Sequence, residues 1–174
     1  MPASTLKRAQ AGIALLESLI ALAILASALL GMLFVQLRTL AEAQSTVHRA
    51  QALRLIGDLA ERIQSNPGGF ARLGDYRSDW GPAMAGAPDC EAQWCGSAAL
   101  AQWDLQDWKS RVAYSLPLGD AAVFDLPGLT AGDPRRVLGV MIGWRAARAD
   151  DASASMPGIA CPAGLSCHLG HVQP

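Results

Sequence analysis

Between Ser18 and Leu37 the chain carries no charge for twenty residues, SLIALAILASALLGMLFVQL. A helix needs roughly 20 apolar residues, at ~1.5 Å each, to cross the hydrocarbon of a bilayer. No other charge-free stretch of the 174 residues is as apolar over that length. One membrane-inserting segment is therefore expected, close to the N-terminus. It also explains the mean hydropathy of +0.21. Aromatic residues make up only 6%, so Ala and Leu carry most of the 51% apolar content, and disorder of the whole chain is excluded. The remaining length fits one domain. The formal net charge of −1 argues against phosphate-driven nucleic-acid binding.

Three readings of this N-terminus compete. A cleaved secretory signal has a shorter apolar core followed by a small-residue cut site. A plain single-pass anchor explains the length but not Glu17. A carboxylate near the start of a membrane helix is costly, about 2.5–3.5 kcal/mol at the bilayer centre, and asks for a partner. The third reading supplies one. A basic leader with Lys7 and Arg8, then Gly12, apolar Ile13, Glu17 at the fifth position after the glycine, and the apolar run together resemble the type IV prepilin signal. The resemblance implies that a prepilin peptidase cuts between Gly12 and Ile13 and methylates the new amine of Ile13. It implies that Glu17 faces the amino terminus of a neighbouring subunit, a charge pair that neutralises two groups costly in lipid. Ile13 departs from the Phe or Met usual at that position. The expected organisation is a leader over 1–12, a membrane or fibre-core helix over 13–37, its amphipathic continuation over 38–65, and a periplasmic or extracellular domain over 66–174.

Past the membrane the helix continues, because no proline occurs between Pro2 and Pro67 and residues 36–65 are rich in helix formers. Ile56, Leu59, Ala60 and Ile63 form an apolar stripe of helical period. Arg54, Asp58 and Arg62 lie four apart and can pair. Asn66-Pro67-Gly68-Gly69 stops the helix, which is expected from about Ala14 to Ser65. A sustained heptad is absent, so a coiled coil is not supported. Residues 74–97 read as a loop. Leu105, Trp108, Val112 and Leu116 predict a second helix over 98–115, ended by Pro117. Ala121–Leu126 reads as a strand. Arg136–Arg145 reads as a strand with one buried face, after a turn at Asp133-Pro134. Residues 146–156 read as a loop. The fold class is α+β: a long N-terminal helix packed on a small domain with a short antiparallel sheet.

The second half resembles the PilV type of minor subunit within the type IV pilin-like proteins. The matching segments are Leu59-Ala60-Glu61-Arg62-Ile63-Gln64-Ser65-Asn66, then Asp104-Leu105-Gln106-Asp107-Trp108, then Leu116-Pro117-Leu118-Gly119, and last Ile142-Gly143-Trp144. The resemblance implies a structural minor pilin of a type IV pilus or its initiating tip complex. It would be made as a single-pass inner-membrane prepilin and then join the fibre at the cell surface. The implied partners are prepilin peptidase, the major pilin, other minor pilins and the inner-membrane assembly platform. A minor pseudopilin of a type II secretion system is the alternative within the superfamily. A membrane-anchored periplasmic enzyme or binding protein is the alternative from another class.

Four cysteines allow three pairings, and spacing alone does not choose among them. Outside the cytoplasm disulfides are favoured. The local pairs Cys90–Cys95 and Cys161–Cys167 are expected because short loops close most easily. A metal set of Cys161, Cys167, His168 and His171 is the sharper alternative, but its spacing is not that of a zinc finger and oxidised sulfur cannot ligate zinc. His48 reads as a helix-surface residue. No cofactor is expected. No nucleophile elbow, phosphate loop or zinc-protease motif is present, so no catalytic residue is assigned. Asp104 and Asp107 read as first-turn acids favoured by the helix dipole. Trp108 and Trp144 read as core, and Trp80, Trp94 and Trp103 as loop or contact residues. The small residues Ala14, Ala21, Ala23, Ala26, Ala28 and Gly31 would let neighbouring helices approach closely.

Overall fold

The structure is a computed structural model of the whole chain, and it describes residues 6–82, 86–126, 137–146 and 158–173, with side chains from Ala14 onward. The element order is α1 (Leu6–Ser65), a 3₁₀ helix (Phe70–Tyr76), α2 (Ser97–Ser115), β1 (Asp120–Asp125), β2 (Leu138–Trp144) and β3 (Ser166–Val172). Contacts divide the chain into Met1–Gln44 and Ser45–Pro174.

Among its described residues the first unit contains only the N-terminal part of helix α1. It begins at Leu6 rather than near Ala14, since the backbone of the basic leader is helical too. From Ala14 to Leu40 every side chain is exposed. Its hydroxyls bond back to the helix: Ser18 Oγ donates to the Ala14 carbonyl at 2.9 Å and Ser27 Oγ to that of Ile24 at 2.8 Å. Such back-bonding leaves no unsatisfied hydroxyl, which is what an apolar environment demands.

The second unit is built on the rest of α1. Ala52, Ile56, Leu59 and Ile63 form its buried face, with Leu55 and Ala60 packed beside them. The helix stops where expected. Asn66 N–H still donates to the Arg62 carbonyl, and Gly69 N–H to the Asn66 carbonyl. The Asn66 side chain then ties three segments together. It donates to the Tyr76 hydroxyl at 3.0 Å and to the Ser97 carbonyl at 2.8 Å, and accepts from Gly68 N–H. Helix α2 contributes Ala101, Leu105, Trp108 and Val112 to the same core. Each fully buried large side chain, Trp108 and Leu59 among them, stabilises the unit by about 1.5–3 kcal/mol.

The sheet is antiparallel with strand order β1-β2-β3. Leu138, Val140, Ile142 and Trp144 of β2 face the helices. The expectation of one buried face is corrected, because all seven residues of β2 are buried. It is the central strand, and its second face is covered as well. A Cβ on Gly139 would meet the Phe124 ring, and one on Gly143 would meet Cys167 Sγ at 3.1 Å, Leu165 at 3.2 Å and the Trp80 ring at 3.4 Å. Strand β1 starts one residue earlier than expected, and α2 likewise. Two elements were not expected. The 3₁₀ helix begins before the stretch read as a loop and runs into its first three residues, and it buries Leu73 and Tyr76. Strand β3 occupies the tail, pairing with β2 from Leu138↔Val172 to Trp144↔Ser166. Asp133, Pro134 and Arg136 lie outside the described residues, as do 147–156 of the expected final loop.

Candidate functional site

The most densely connected polar group of the second unit joins α1 to α2. Arg62 projects from the last turn of α1. Its guanidinium donates to Asp58 Oδ2 at 3.0 Å on its own helix, to Asp104 Oδ1 at 3.3 Å and to Asp107 Oδ2 at 2.7 Å. Arg111 also reaches Asp107, at 2.8 Å. The Tyr76 hydroxyl donates to Asp104 Oδ2 at 3.4 Å. Two carboxylates three residues apart on α2 thus share one planar cation, a geometry suited to the fixed fork of Arg.

The electrostatics follow from burial. Burial pushes the Asp104 carboxyl above its usual range, and Arg62 offsets this only in part. Burial acts the same way on Asp107, but Arg111 and Arg62 outweigh it and hold this acid below the usual range. Burial works against the Arg62 charge, yet Asp107 and Asp58 keep its pKa above the ordinary value. Tyr76 is pushed up to about 12, chiefly by burial, with the Asp104 charge adding to it.

The expectation that Asp104 and Asp107 are first-turn acids is corrected. Helix α2 begins at Ser97, its first turn holds no acid, and both residues face Arg62. Their bonds to Arg62, not the helix dipole, account for their placement. The signal available in the sequence was the three-residue spacing of the two acids, together with Arg62 four residues after Asp58.

A second clamp was not legible. Lys109 is buried, and its ammonium donates to Ser78 Oγ at 2.9 Å and to the Asp79 carbonyl at 2.6 Å. Asp120 lies 4.0 Å away and accepts from Gly81 N–H at 2.7 Å. Burial lowers the Lys109 pKa, and the Asp120 and Asp79 charges oppose that shift. The segment Ser78–Gly81 is thereby strapped between α2 and β1, and Ser78 pairs with Val123 at the sheet edge. Beside the strap lies a cleft of about 700 Å³, walled by Trp80, Phe124, Leu105 and Val123.

The sulfurs are paired as Cys90–Cys95 and Cys161–Cys167. The metal set suggested by Cys161, Cys167, His168 and His171 does not converge. Its thiols are oxidised, and in the register of β3 His168 lies opposite Ile142 on the core face while His171 lies opposite Gly139 on the other. His168 is half-buried, and its pKa is lowered by burial and by Arg49. Trp108 Nε1 donates to the Leu55 carbonyl at 2.7 Å, and Trp144 is in the core. Trp80 and Trp103 are half-buried, while Trp94 is exposed.

In the first unit the site is the apolar surface itself. Leu15, Leu19, Leu22, Leu25, Leu29 and Phe34 are each more than half exposed, and the apolar window of this helix is 0% buried. By length and composition it can cross a membrane. Glu17 lies on the same helix, among residues exposed on every side.

Residues 34–106 match a family described as Tt1218-like, type IV pilin Tt1218. No curated protein and no solved structure matches the chain. The matched span runs from the end of the apolar run, through Arg62 and the Asn66 turn, to Gln106 in α2, just past Asp104. A long apolar N-terminal helix followed by a small domain with a three-stranded antiparallel sheet is consistent with a type IV pilin fold. Over those residues the chain is similar to type IV pilins, and the match supports a pilin-type structural role.

Proposed function

We propose that the protein is a structural, non-catalytic minor pilin of the PilV type. It is made as an inner-membrane prepilin with its C-terminal domain in the periplasm, cut by prepilin peptidase between Gly12 and Ile13, and methylated at Ile13. It then joins major and other minor pilins in a type IV pilus, or in the complex that initiates one, through the inner-membrane assembly platform. The observation that carries this reading is the apolar helix from Ala14 to Leu37, unburied by its own chain and led by the Gly12, Ile13 and Glu17 pattern. Such a surface is stable only in lipid or against other apolar helices. A helix that leaves the bilayer to enter a fibre uses the two environments in turn. Glu17 is the residue lipid tolerates least, so a partner amine in the fibre favours transfer.

Mass spectrometry of the mature N-terminus tests the reading. It should begin at methylated Ile13, and Gly12→Val should leave the leader attached and keep the chain out of sheared fibres. A mature chain starting anywhere else overturns the assignment.

A further inference from the structure

The two edges of the sheet differ in what their backbone groups meet. In the β1–β2 register Val123 lies opposite Val140, yet Val123 N–H donates to the Ser78 carbonyl at 2.8 Å and Ser78 N–H donates to the Val123 carbonyl at 3.0 Å. The polar backbone of Val123 thus points away from β2. In an antiparallel ladder this direction alternates along each strand. Ala122 and Phe124 therefore bond Met141 and Gly139, while Val140 and Ile142 turn their backbone towards β3. Their partners there are Gly170 and His168. By the same alternation the N–H and carbonyl groups of Leu169 and His171 point to the outer side of β3.

The β1 edge is closed. The strap Ser78–Gly81 covers it, through the Ser78–Val123 pair and through Gly81 N–H on Asp120, whose other oxygen takes the Ala121 N–H. At β3, no described residue bonds the outward groups of Leu169 and His171. Nor does β3 carry the usual guards of a free edge. Ser166–Val172 holds no proline, lysine, arginine or acid, and all seven residues pair with β2 without a bulge. Such an edge is a template for one more strand, because its unpaired groups recur at every second residue. The surroundings say what that strand carries. Residues 158–173 hold no acid. Arg49 of α1 is exposed and acts on His168, and His171 is exposed near the end of the edge. A β3 from a second copy would bring the same arginine and histidines against this set, whereas a segment with carboxylates meets them with opposite charge.

We infer that β3 takes an extended, acid-bearing segment of a different chain as the fourth strand of the sheet. Main-chain bonds to Leu169 and His171 supply the affinity, and Arg49 selects the charge of the segment. The inference rests on the minor-subunit reading in one respect: a subunit used sparsely has unlike chains as its neighbours.

The test uses the full chain in detergent micelles and two synthetic peptides, one of alternating valine and glutamate, the other of alternating valine and lysine. The glutamate peptide should slow hydrogen exchange at the Leu169 and His171 amides about tenfold and leave those of His168 and Gly170, already held by the ladder, unchanged. The same peptide methylated on every amide nitrogen cannot pair and should slow none of them. Leu169→Pro removes an outward N–H that the ladder does not use, so His168 and Gly170 should stay protected while the effect of the peptide at His171 is lost. Arg49→Glu should weaken binding of the glutamate peptide about fivefold and favour the lysine peptide. No slowing by millimolar glutamate peptide, equal slowing by its methylated form, or a charge preference indifferent to Arg49→Glu would overturn the inference. Slowing that appears without peptide as the chain is concentrated would also overturn it, since a second copy would then be the occupant. If the peptide docks but the mature chain does not begin at Ile13, the proposed function fails and the strand site stands. A correct N-terminus without docking sinks the strand site alone.

Discussion

Arg62 of α1 and Asp107 of α2 are 2.7 Å apart, and this pair couples the end of the long helix to α2. Removing Arg62 leaves Asp104, with a side chain only 9% exposed, without its cation. Arg62→Ala is therefore expected to cost about 2–4 kcal/mol, since a partly buried carboxylate is stranded. Urea unfolding followed by the fluorescence of buried Trp108 would read the loss. Asp104→Leu placed on top of Arg62→Ala should recover part of it, because the double variant no longer buries an unpaired charge. A double variant less stable than the single one would show that Asp104 is held by something other than Arg62.

Tyr76 gives the unit an alkaline limit. Its hydroxyl is buried, accepts from Asn66 and donates to Asp104, and its pKa stands at about 12 against 10 for a free tyrosine. Between these values the unfolded chain has lost the proton and the folded chain keeps it, so stability falls as pH rises. The contribution is complete below pH 10 and lost through pH 12, amounting to about 2–3 kcal/mol at 1.36 kcal/mol per pKa unit. Tyr76→Phe should be less stable at pH 7, by about 1–3 kcal/mol for the orphaned Asn66 and Asp104 groups, yet lose less between pH 10 and 12. Parallel alkaline unfolding curves for the two proteins would refute the assignment to Tyr76.

What was legible in the sequence is what repeats. The stripe of Ile56, Leu59 and Ile63, the Asn66-Pro67-Gly68-Gly69 stop and the spacing of Leu105, Trp108 and Val112 report burial at helical period, and those elements formed where expected. Strand β3 left no such trace. Its core-facing residues are Ser166, His168, Gly170 and Val172, so apolar alternation is missing, and the strand is specified by the β2 it completes. A Cβ at Gly170 would come within 2.7 Å of Ile56 Cδ1, so any larger residue there requires the Ile56 side chain to shift. Lys109 was hidden for a related reason. A lysine in an amphipathic helix reads as solvent-facing, and only the tertiary fold brings the Asp79 carbonyl and Asp120 to its ammonium. Similarly, no periodicity could place both acids of α2 around Arg62, forty-two and forty-five residues earlier.

Two glycines of the long helix and its stop should respond oppositely. Gly57 sits mid-helix, and a Cβ there would meet nothing within 4 Å. Gly57→Ala should raise the stability of the isolated chain by about 0.5–1 kcal/mol, since alanine is the better helix former. At Gly69 a Cβ would run into the Ile63 carbonyl oxygen, which belongs to the helix backbone and cannot give way. Gly69→Ala should destabilise by about 1–3 kcal/mol through the backbone shift it forces. Thermal melts of the two variants beside the parent check both signs at once.

The two disulfides should differ from a core in what they hold. Each closes a loop so short that the chain-entropy estimate is about 2 kcal/mol, and neither joins distant elements. Reduction should leave α2, β1 and β2 protected from hydrogen exchange. Residues 86–96 should exchange faster, because apart from the bridge they are held by the Asp89 turn. Residues 158–165 should loosen too, but Ser166–Val172 should stay protected by its ladder with β2. Loss of β3 protection on reduction would mean that the bridge, not the ladder, seats that strand.

Glu17 decides the last expectation, which follows from the proposed pairing with a subunit amine. Removing a carboxylate from an apolar helix lowers the cost of placing that helix in lipid, so Glu17→Ala should insert in membranes at least as well as the parent. The same change removes the only charge between Ala14 and Leu37. A fibre that relies on that charge to meet the amine of Ile13 should then incorporate the variant several-fold less, or leave the amine unmethylated. Glu17→Gln separates charge from size, since it keeps the side-chain volume and a hydrogen-bonding group while losing the ion. If charge is what matters, Gln behaves as Ala in sheared-fibre yield; a Gln variant that assembles and is methylated like the parent would show that the carboxylate has no ionic partner.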